Sequence, residues 1–167
     1  DITAGVTQIN VHGPKARDLL RTLSDADVSN EGFPYMSARH IDVGYFDVLA
    51  LRVTYVGELG WELHVPSIHA VQVYDLVMEA GRQFGIRNAG MQTLASLRLE
   101  KAYRDCGVDI DNTDNPIEAG LGFAVRLDKP GGFIGRDALA AIHAAGAPKR
   151  RMLHFLLRDP EPLLFGT

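Results

Sequence analysis

The segment at residues 54–66, T-Y-V-G-E-L-G-W-E-L-H-V-P, constrains the fold more than any other stretch. Aliphatic and β-branched residues at 48–53 predict a strand before it. Gly57 and Gly60 then predict a turn. After the turn, apolar and polar residues alternate over 61–66, which predicts a second strand with one apolar face. Together these patterns predict a β-hairpin.

The polar residues of this hairpin suggest a ligand-binding edge. Tyr55, Glu58 and Glu62 would lie at or beside one edge of the sheet, with an aromatic ring next to two carboxylates. A carboxylate offers only acceptors, so it suits a flat heteroaromatic ligand that carries N–H donors. An ordinary exposed hairpin remains open as the alternative. The alternation also predicts that Trp61 packs inward while Glu62 faces a pocket on the other side.

The composition is that of a globular chain of one domain, or of one domain and part of another. The chain has 167 residues, and no apolar run approaches the roughly 20 residues of a membrane span. A net charge of −4 argues against a general affinity for nucleic acid or for an anionic membrane. The single cysteine, Cys106, excludes an internal disulfide and fits a reducing compartment. Because the chain opens without Met or a signal-like segment, we expect a piece of a longer polypeptide.

Periodicity along the chain predicts both strands and helices. Three sequential strands around the hairpin are expected to form an antiparallel meander. The predicted fold class is therefore α+β, with mostly antiparallel sheets and packed helices. The predicted strands are residues 6–11, 36–43, 46–55, 61–65, 123–127 and 152–157. The predicted helices are about residues 14–23, 67–81, 91–101 and 135–142.

Two of these helices carry more specific expectations. Ser67 is a good N-cap for the helix that begins there. In the next helix, Met91, Leu94 and Leu97 recur on one side. Arg98 falls elsewhere on that helix, where surface ion pairs are the simplest interpretation.

No sequence pattern indicates a metal or nucleotide site. Residues 107–116 are rich in acidic and amide side chains, but they lack the spacing, the central glycine and the final glutamate of an EF-hand. The glycines at 117–122 form neither a dinucleotide fingerprint nor a phosphate-binding Walker loop. We therefore assign no metal site.

Five motifs along the chain resemble the aminomethyltransferase, or glycine-cleavage T-protein, superfamily, and they occur in the expected order. Two segments, V-G-E-L-G-W-E-L and L-E-K-A-Y-R, are most similar to the sequences of one subgroup. That subgroup is the folate-binding C-terminal half of dimethylglycine and sarcosine dehydrogenases. The five motifs are G-P-K-A-R-D-L-L at 13–20, T-Y-V-G-E-L-G-W-E-L-H-V-P at 54–66, S-L-R-L-E-K at 96–101, N-P-I-E-A-G-L-G-F-A-V at 115–125 and F-I-G-R-D-A-L at 133–139.

The resemblance implies the middle portion of a three-part fold around a central folate site. Residues 1–147 would form the central folate-binding portion, shortened on its N-terminal side. Residues 148–167 would form a linker and the first strand, at 152–157, of a truncated C-terminal barrel. In this superfamily a catalytic aspartate comes from the N-terminal part, so we expect no catalytic residue within this chain.

The resemblance also implies three folate-binding residues. Glu62 matches the glutamate that accepts hydrogen bonds from the pterin ring, and Tyr55 matches a tyrosine that lines the same pocket. Arg151 matches an arginine near the anionic tail of the folate. Leu94 stands where glycine-cleavage T-proteins carry an arginine, which favours the dehydrogenase subgroup and puts that arginine's folate contact in doubt.

The function implied is tetrahydrofolate-dependent one-carbon transfer within an FAD-dependent dehydrogenase that forms 5,10-methylenetetrahydrofolate. The cofactors would be tetrahydrofolate and, in a preceding N-terminal domain, FAD. The partners would be folate and an N-methyl amine, and this chain alone would be inactive. The alternatives are a glycine-cleavage aminomethyltransferase, with a lipoyl carrier protein as partner, and a non-catalytic folate-binding scaffold. The resemblance implies the bacterial cytoplasm or the mitochondrial matrix.

Overall fold

A computed structural model describes residues 1–159, which form two compact units. The first unit is Asp1–Tyr103, and the second begins at Arg104. The strands are β1 (Val6–His12), β2 (Ala38–Val43), β3 (Phe46–Leu51) and β4 (Gly60–Pro66). The α-helices are α1 (Ala16–Arg21), α2 (Ala70–Gly81), α3 (Met91–Glu100) and α4 (Arg136–Ala144). Short 3-10 helices lie at Ser67–His69, Arg82–Phe84 and Gly122–Ala124.

The first unit is built on one four-stranded antiparallel sheet. The strand order is β1-β4-β3-β2, so β2, β3 and β4 form the predicted meander and β1 adds to the far side of β4. The fold class is α+β, as predicted. Because β4 is central, its residues pair with β1 on one side and β3 on the other. Glu62 is opposite Asn10 on β1 and Leu51 on β3, so the expectation that it lies at a sheet edge was wrong.

The apolar face of β4 forms the centre of the core. Trp61, Leu63 and Val65 are fully buried, which confirms the alternation predicted for this strand. Helices α1 and α2 both contact β4, so they cover this face of the sheet. In α2 the buried residues Val73 and Val77 recur at a spacing of four, as expected of an amphipathic helix.

The start of α2 differs from the prediction at Ser67. The Ser67 side chain makes no capping hydrogen bond, and its Oγ lies 3.1 Å from Thr7 Oγ1 on β1. A 3-10 turn over Ser67–His69 comes first, and the α-helix begins at Ala70. Ser67 therefore joins this connection to the edge strand.

The prediction for α3 was wrong at Arg98. Its side chain is buried and Nη1 donates a hydrogen bond to the backbone oxygen of Tyr103, 3.0 Å away. Leu94 and Leu97 are half-buried, whereas Met91 is exposed. An amphipathic pattern ranks side chains by hydrophobicity, and a long guanidinium can still turn inward to donate to a carbonyl of the chain that follows the helix.

The second unit contains α4 and little other regular structure. The strand predicted at 123–127 is wrong, because Gly122–Ala124 is a 3-10 helix in which Val125 N bonds to Gly122 O at 3.1 Å. Residues 152–157 form no strand either, so the described part of 148–167 lacks the expected barrel strand. At 122–125 local i to i+3 hydrogen bonds replace the expected strand. At 152–157 no neighbouring strand is present within residues 104–159 to accept the hydrogen bonds of a strand.

The proposed boundary at residue 147 stays a prediction, and residues 160–167 of that call lie outside the described residues. Over residues 1–159, no helix combines the length and the hydropathy that a membrane span requires.

Candidate functional site

The connection between β3 and β4 is shaped by Gly57. This glycine has φ of +71°, where side chains other than hydrogen are strained. A Cβ there would also overlap the Lys101 side chain, which follows α3. Lys101 Nζ in turn lies 3.0 Å from Glu58 Oε1. The glycine therefore lets the Lys101 stem pass close to the turn, and Lys101 neutralises Glu58.

Gly60 allows His12 to lie against the start of β4. The two residues are opposite each other in the sheet, and a Cβ on Gly60 would overlap His12 Cδ2 and the Val11 carbonyl oxygen. The imidazole Nε2 is 3.2 Å from the Val53 carbonyl oxygen. A carbonyl can only accept, so Nε2 carries the proton in this contact.

His12 is electrostatically linked to Glu62. Partial burial lowers the pKa of the His12 imidazole below its usual value, and this effect outweighs the hydrogen bond to Val53 and the charge of Glu62, which both raise it. The neutral imidazole is therefore the stable form at neutral pH. Because the one N–H of this neutral ring is directed at Val53, His12 presents an uncharged ring to its surroundings rather than a positive charge.

Glu62 lies on the face of β4 opposite Trp61, as predicted. Its side chain is 20% exposed, and its Oε2 lies 3.6 Å from Nε2 of His64, two residues along the same strand. Among the residues that the structure describes, none donates a hydrogen bond to this carboxylate. A shielded carboxylate of this kind retains its acceptor capacity for a ligand that brings its own N–H donors.

Tyr55 lies in the same connection as Gly57, in the first unit. Its side chain is half-buried and its hydroxyl oxygen is buried. Tyr55 and Glu62 therefore flank one turn of one hairpin. Their role as folate ligands stays a prediction.

Arg151 belongs to the second unit. Its side chain is exposed, in a segment without regular secondary structure. The next residue, Met152, bonds through its backbone N to Glu118 O at 2.9 Å. The predicted contact of Arg151 with the folate tail stays a prediction.

The sequence analysis did not assign two neighbours of Glu62 to the site. His64 could have been found, since residues i and i+2 of a strand share a face. His12 could not, because its position depends on the pairing of β1 with β4, fifty residues away. The first-unit helices and β1 also line a cleft of about 550 Å³, and Asn10, His12, Leu94 and Leu97 are among its lining residues.

Two carboxylates of the acidic segment have partners within the second unit. Asp111 Oδ1 accepts hydrogen bonds from the Thr113 hydroxyl and backbone N, which lower the pKa of the Asp111 carboxyl. Asp114 Oδ1 lies 2.7 Å from Arg150 Nη2. These contacts explain why the segment is ordered as turns.

Solved and curated relatives agree with this architecture. The structure is similar to that of glycine cleavage system aminomethyltransferase T from Bartonella henselae, with 25% identity and a TM-score of 0.68, over 85% of this chain and 37% of that chain. The sequence is 42% identical to Homo sapiens mitochondrial sarcosine dehydrogenase over 99% of this chain. It is 41% identical to Homo sapiens mitochondrial dimethylglycine dehydrogenase over 96% of this chain.

The fold and the hairpin thus define an α+β domain of the aminomethyltransferase type. The chain belongs to the GCVT N-terminal domain family, whose model matches residues 1–129. It spans 18% and 19% of the lengths of the two dehydrogenases. The predicted resemblance to this superfamily and to the dehydrogenase subgroup is confirmed.

Proposed function

We propose that this chain is the tetrahydrofolate-binding part of a one-carbon transfer module in an FAD-dependent N-methyl amino acid dehydrogenase. The observation that carries the proposal is the Glu62 carboxylate, which is four-fifths shielded and receives no hydrogen bond from the described residues. The likeness to sarcosine and dimethylglycine dehydrogenases over nearly the whole chain supports the dehydrogenase context.

The chemistry of Glu62 matches a pterin ring. The ring edge presents several N–H donors side by side, and a carboxylate can accept two of them at once. Neither His12 nor Lys101 forms an ion pair with Glu62, because His12 is neutral and Lys101 is paired with Glu58. Glu62 therefore keeps its negative charge available for the donors of the ligand.

The residues of this chain would act by position. Glu62 would fix the pterin edge, Tyr55 would line the ring, and Arg151 would attract the anionic tail. Bound tetrahydrofolate supplies the nitrogen nucleophiles that accept the one-carbon unit. Holding that acceptor where the unit is released raises its effective concentration and limits escape as formaldehyde. FAD would bind elsewhere in the full-length protein.

A glycine-cleavage aminomethyltransferase is the second candidate, supported by the structural likeness to the Bartonella enzyme. Leu94 argues against it. Its side chain is half-buried and lines the cleft, where it offers no charge to an anionic group, whereas the arginine of a T-protein at this position would. A non-catalytic folate-binding scaffold is the third candidate, and product analysis separates it from the first.

The test uses the full-length protein. Tetrahydrofolate is titrated by calorimetry, and the protein is then supplied with sarcosine or dimethylglycine with and without tetrahydrofolate. We expect saturable binding, amine oxidation in both reactions, and 5,10-methylenetetrahydrofolate in place of formaldehyde when folate is present. Binding without amine oxidation would favour the scaffold, and absence of folate binding would overturn the proposal.

A further inference from the structure

Three arginines surround an aromatic pair on the core side of the sheet. Phe33 and Trp61 pack edge to face, with ring centroids 6.1 Å apart. The Cζ atoms of Arg17 and Arg52 lie 6.0 and 5.8 Å from the Trp61 ring centroid. Arg39 Cζ lies 5.2 Å from the Phe33 ring centroid. We call these three residues the arginine cluster.

The arginine cluster is rich in donors and poor in acceptors. Arg17 Nη2 and Arg52 Nη2 both donate to Asn30 Oδ1, at 2.7 and 2.8 Å. Arg52 Nη1 donates to the Phe33 carbonyl oxygen at 2.6 Å. Arg17 Nε is buried and has no acceptor among residues 1–159. Two guanidiniums therefore share one neutral amide oxygen, and a further donor has no acceptor.

No carboxylate of the described chain forms an ion pair with any arginine of the cluster. Burial and then the charge of Arg17 lower the pKa of the Arg52 guanidinium, and the charge of Glu31 only partly opposes them. Arg17 and Arg52 thus repel each other while held on the same amide oxygen. Stacking on Trp61 compensates part of this cost, as cations over an aromatic face are attracted by its quadrupole.

We propose that Arg17 and Arg52 form a binding site for a small oxyanion, a phosphate or a carboxylate. The guanidinium is a planar fork that binds two oxygens of such a group at once. An oxyanion bridging the exposed ends of the two guanidiniums would supply them with negatively charged acceptors and neutralise their repulsion. Both residues are partly buried, but their hydrogen bonds to Asn30 are exposed, so an oxyanion can reach this end of the guanidiniums from solvent.

This site is separate from the one assigned to folate. Trp61 and Glu62 are adjacent on β4, and adjacent residues of a strand project to opposite faces of the sheet. The arginine cluster lies with Trp61, on the face covered by α1 and α2. A folate whose ring is bound by Glu62 would lie on the other face of the sheet. The oxyanion bound here would therefore be a separate ligand and not the tail of that folate.

The test measures oxyanion binding to the full-length protein by calorimetry and thermal melts at constant ionic strength, with chloride as the reference anion. Inorganic phosphate and succinate are titrated separately, to separate phosphate from carboxylate ligands. We expect saturable binding of one of them and a higher melting temperature in its presence. Chloride-like behaviour of both anions would overturn the proposal.

Two matched variants locate the binding. Arg17→Gln should weaken oxyanion binding about tenfold or more, which is the loss of roughly one charge-assisted bond. Arg21→Gln removes the same charge one turn farther along α1, where Arg21 is exposed and lies 3.8 Å from Asp18. It should leave binding unchanged. Equal weakening in both variants would show general electrostatic attraction and would overturn the site.

A conservative variant tests whether Arg17 has only a structural role. Arg17→Lys keeps the charge but removes the fork, so it should bind the oxyanion with intermediate affinity while its melting temperature without ligand stays near that of the parent. If Arg17→Gln and Arg17→Lys change the melting temperature but not the affinity, Arg17 only supports the packing of Trp61 and the proposal is wrong.

Discussion

Nε2 of His64 lies 3.6 Å from Oε2 of Glu62, on the face of β4 that points away from the core. The two side chains share this face because they are two residues apart in one strand. The imidazole stands beside the carboxylate without forming a hydrogen bond to it. Glu62 is thus positioned by the strand and flanked by a histidine, and its oxygens remain available as acceptors.

The first prediction concerns Glu62→Gln in the full-length protein. Gln keeps the shape but replaces one acceptor oxygen with an N–H₂ donor that faces the donors of the pterin. We expect folate affinity to fall roughly ten- to a hundredfold, or about 1.4–2.8 kcal/mol. The measurement is a calorimetric titration with tetrahydrofolate, accompanied by thermal melts.

The matched control is Glu58→Gln, which removes the same charge from a residue that is paired with Lys101. Its folate affinity should change less than that of Glu62→Gln. In the Glu62 variant, amine oxidation should continue while formaldehyde release rises. Equal affinities of parent and Glu62→Gln would remove Glu62 from the site, and a large fall in melting temperature would make it a structural residue.

The second prediction concerns Gly60→Ala. The added methyl group would overlap the His12 ring and the Val11 carbonyl oxygen, and the backbone oxygen cannot move away without breaking the pairing of β1 with β4. We expect a loss of about 1–3 kcal/mol in the free energy of unfolding, typical of overpacking. Chemical denaturation measures it.

Gly122→Ala provides the control, since no heavy atom lies within 4 Å of the Cβ position there. Its free energy of unfolding should change by less than about 0.5 kcal/mol. Similar losses in both variants would mean that the close approach of His12 to Gly60 does not limit stability.

The third prediction is a pH dependence that arises from His12. Its pKa in the folded protein is lowered from the ordinary 6.5, chiefly by burial. Above pH 6.5 both folded and unfolded states hold a neutral imidazole. As the pH falls below 6.5, the unfolded state binds a proton before the folded state does, so stability decreases until the pH passes the lowered pKa.

Melting temperatures of the parent and of His12→Gln, measured from pH 7.5 to pH 5, test this. The parent should lose more stability than the variant across that range. Parallel curves would show that another group causes the pH dependence.

The fourth prediction concerns the buried guanidinium of Arg98. Truncation in Arg98→Ala would leave the Tyr103 carbonyl without its donor and would remove the packed stem. We expect a cost of about 2 kcal/mol or more in unfolding free energy. Arg82→Ala is the control, because the Arg82 side chain is 77% exposed and forms an exposed ion pair with Glu79, three residues earlier. Its cost should be below about 0.5 kcal/mol, and an equal cost would contradict the role of Arg98.

The hairpin was predictable because a period of two in β4 determines which side chains are buried. Trp61 and Glu62 were assigned to the correct faces by that period alone. The strand expected at 123–127 shows the limit of such reasoning: a strand also needs a neighbour to accept its hydrogen bonds, and sequence pattern does not provide that information. Where local i to i+3 bonds satisfy the backbone, as at Gly122–Ala124, an apolar segment need not be extended.

The candidate site was predictable only in part. Glu62 came from a motif and its face from alternation. The position of its neighbour His12 depends on strand register, and the inward turn of Arg98 depends on the Tyr103 carbonyl in the chain after α3. Both contacts are set by tertiary structure, which overrides local propensity.

The two glycines of the motif have a consequence for how the sequence can change. Gly57 leaves room for Lys101 and Gly60 leaves room for His12, so each short side chain is matched to a long one far away in the chain. A smaller residue at 101 or 12 would not make a side chain acceptable at the glycine, because Gly57 has φ of +71° and a Cβ on Gly60 would still meet the backbone oxygen of Val11. Relatives should therefore keep both glycines whatever residues stand at 101 and 12, and a double substitution within either pair should recover at most part of the stability that the glycine substitution loses.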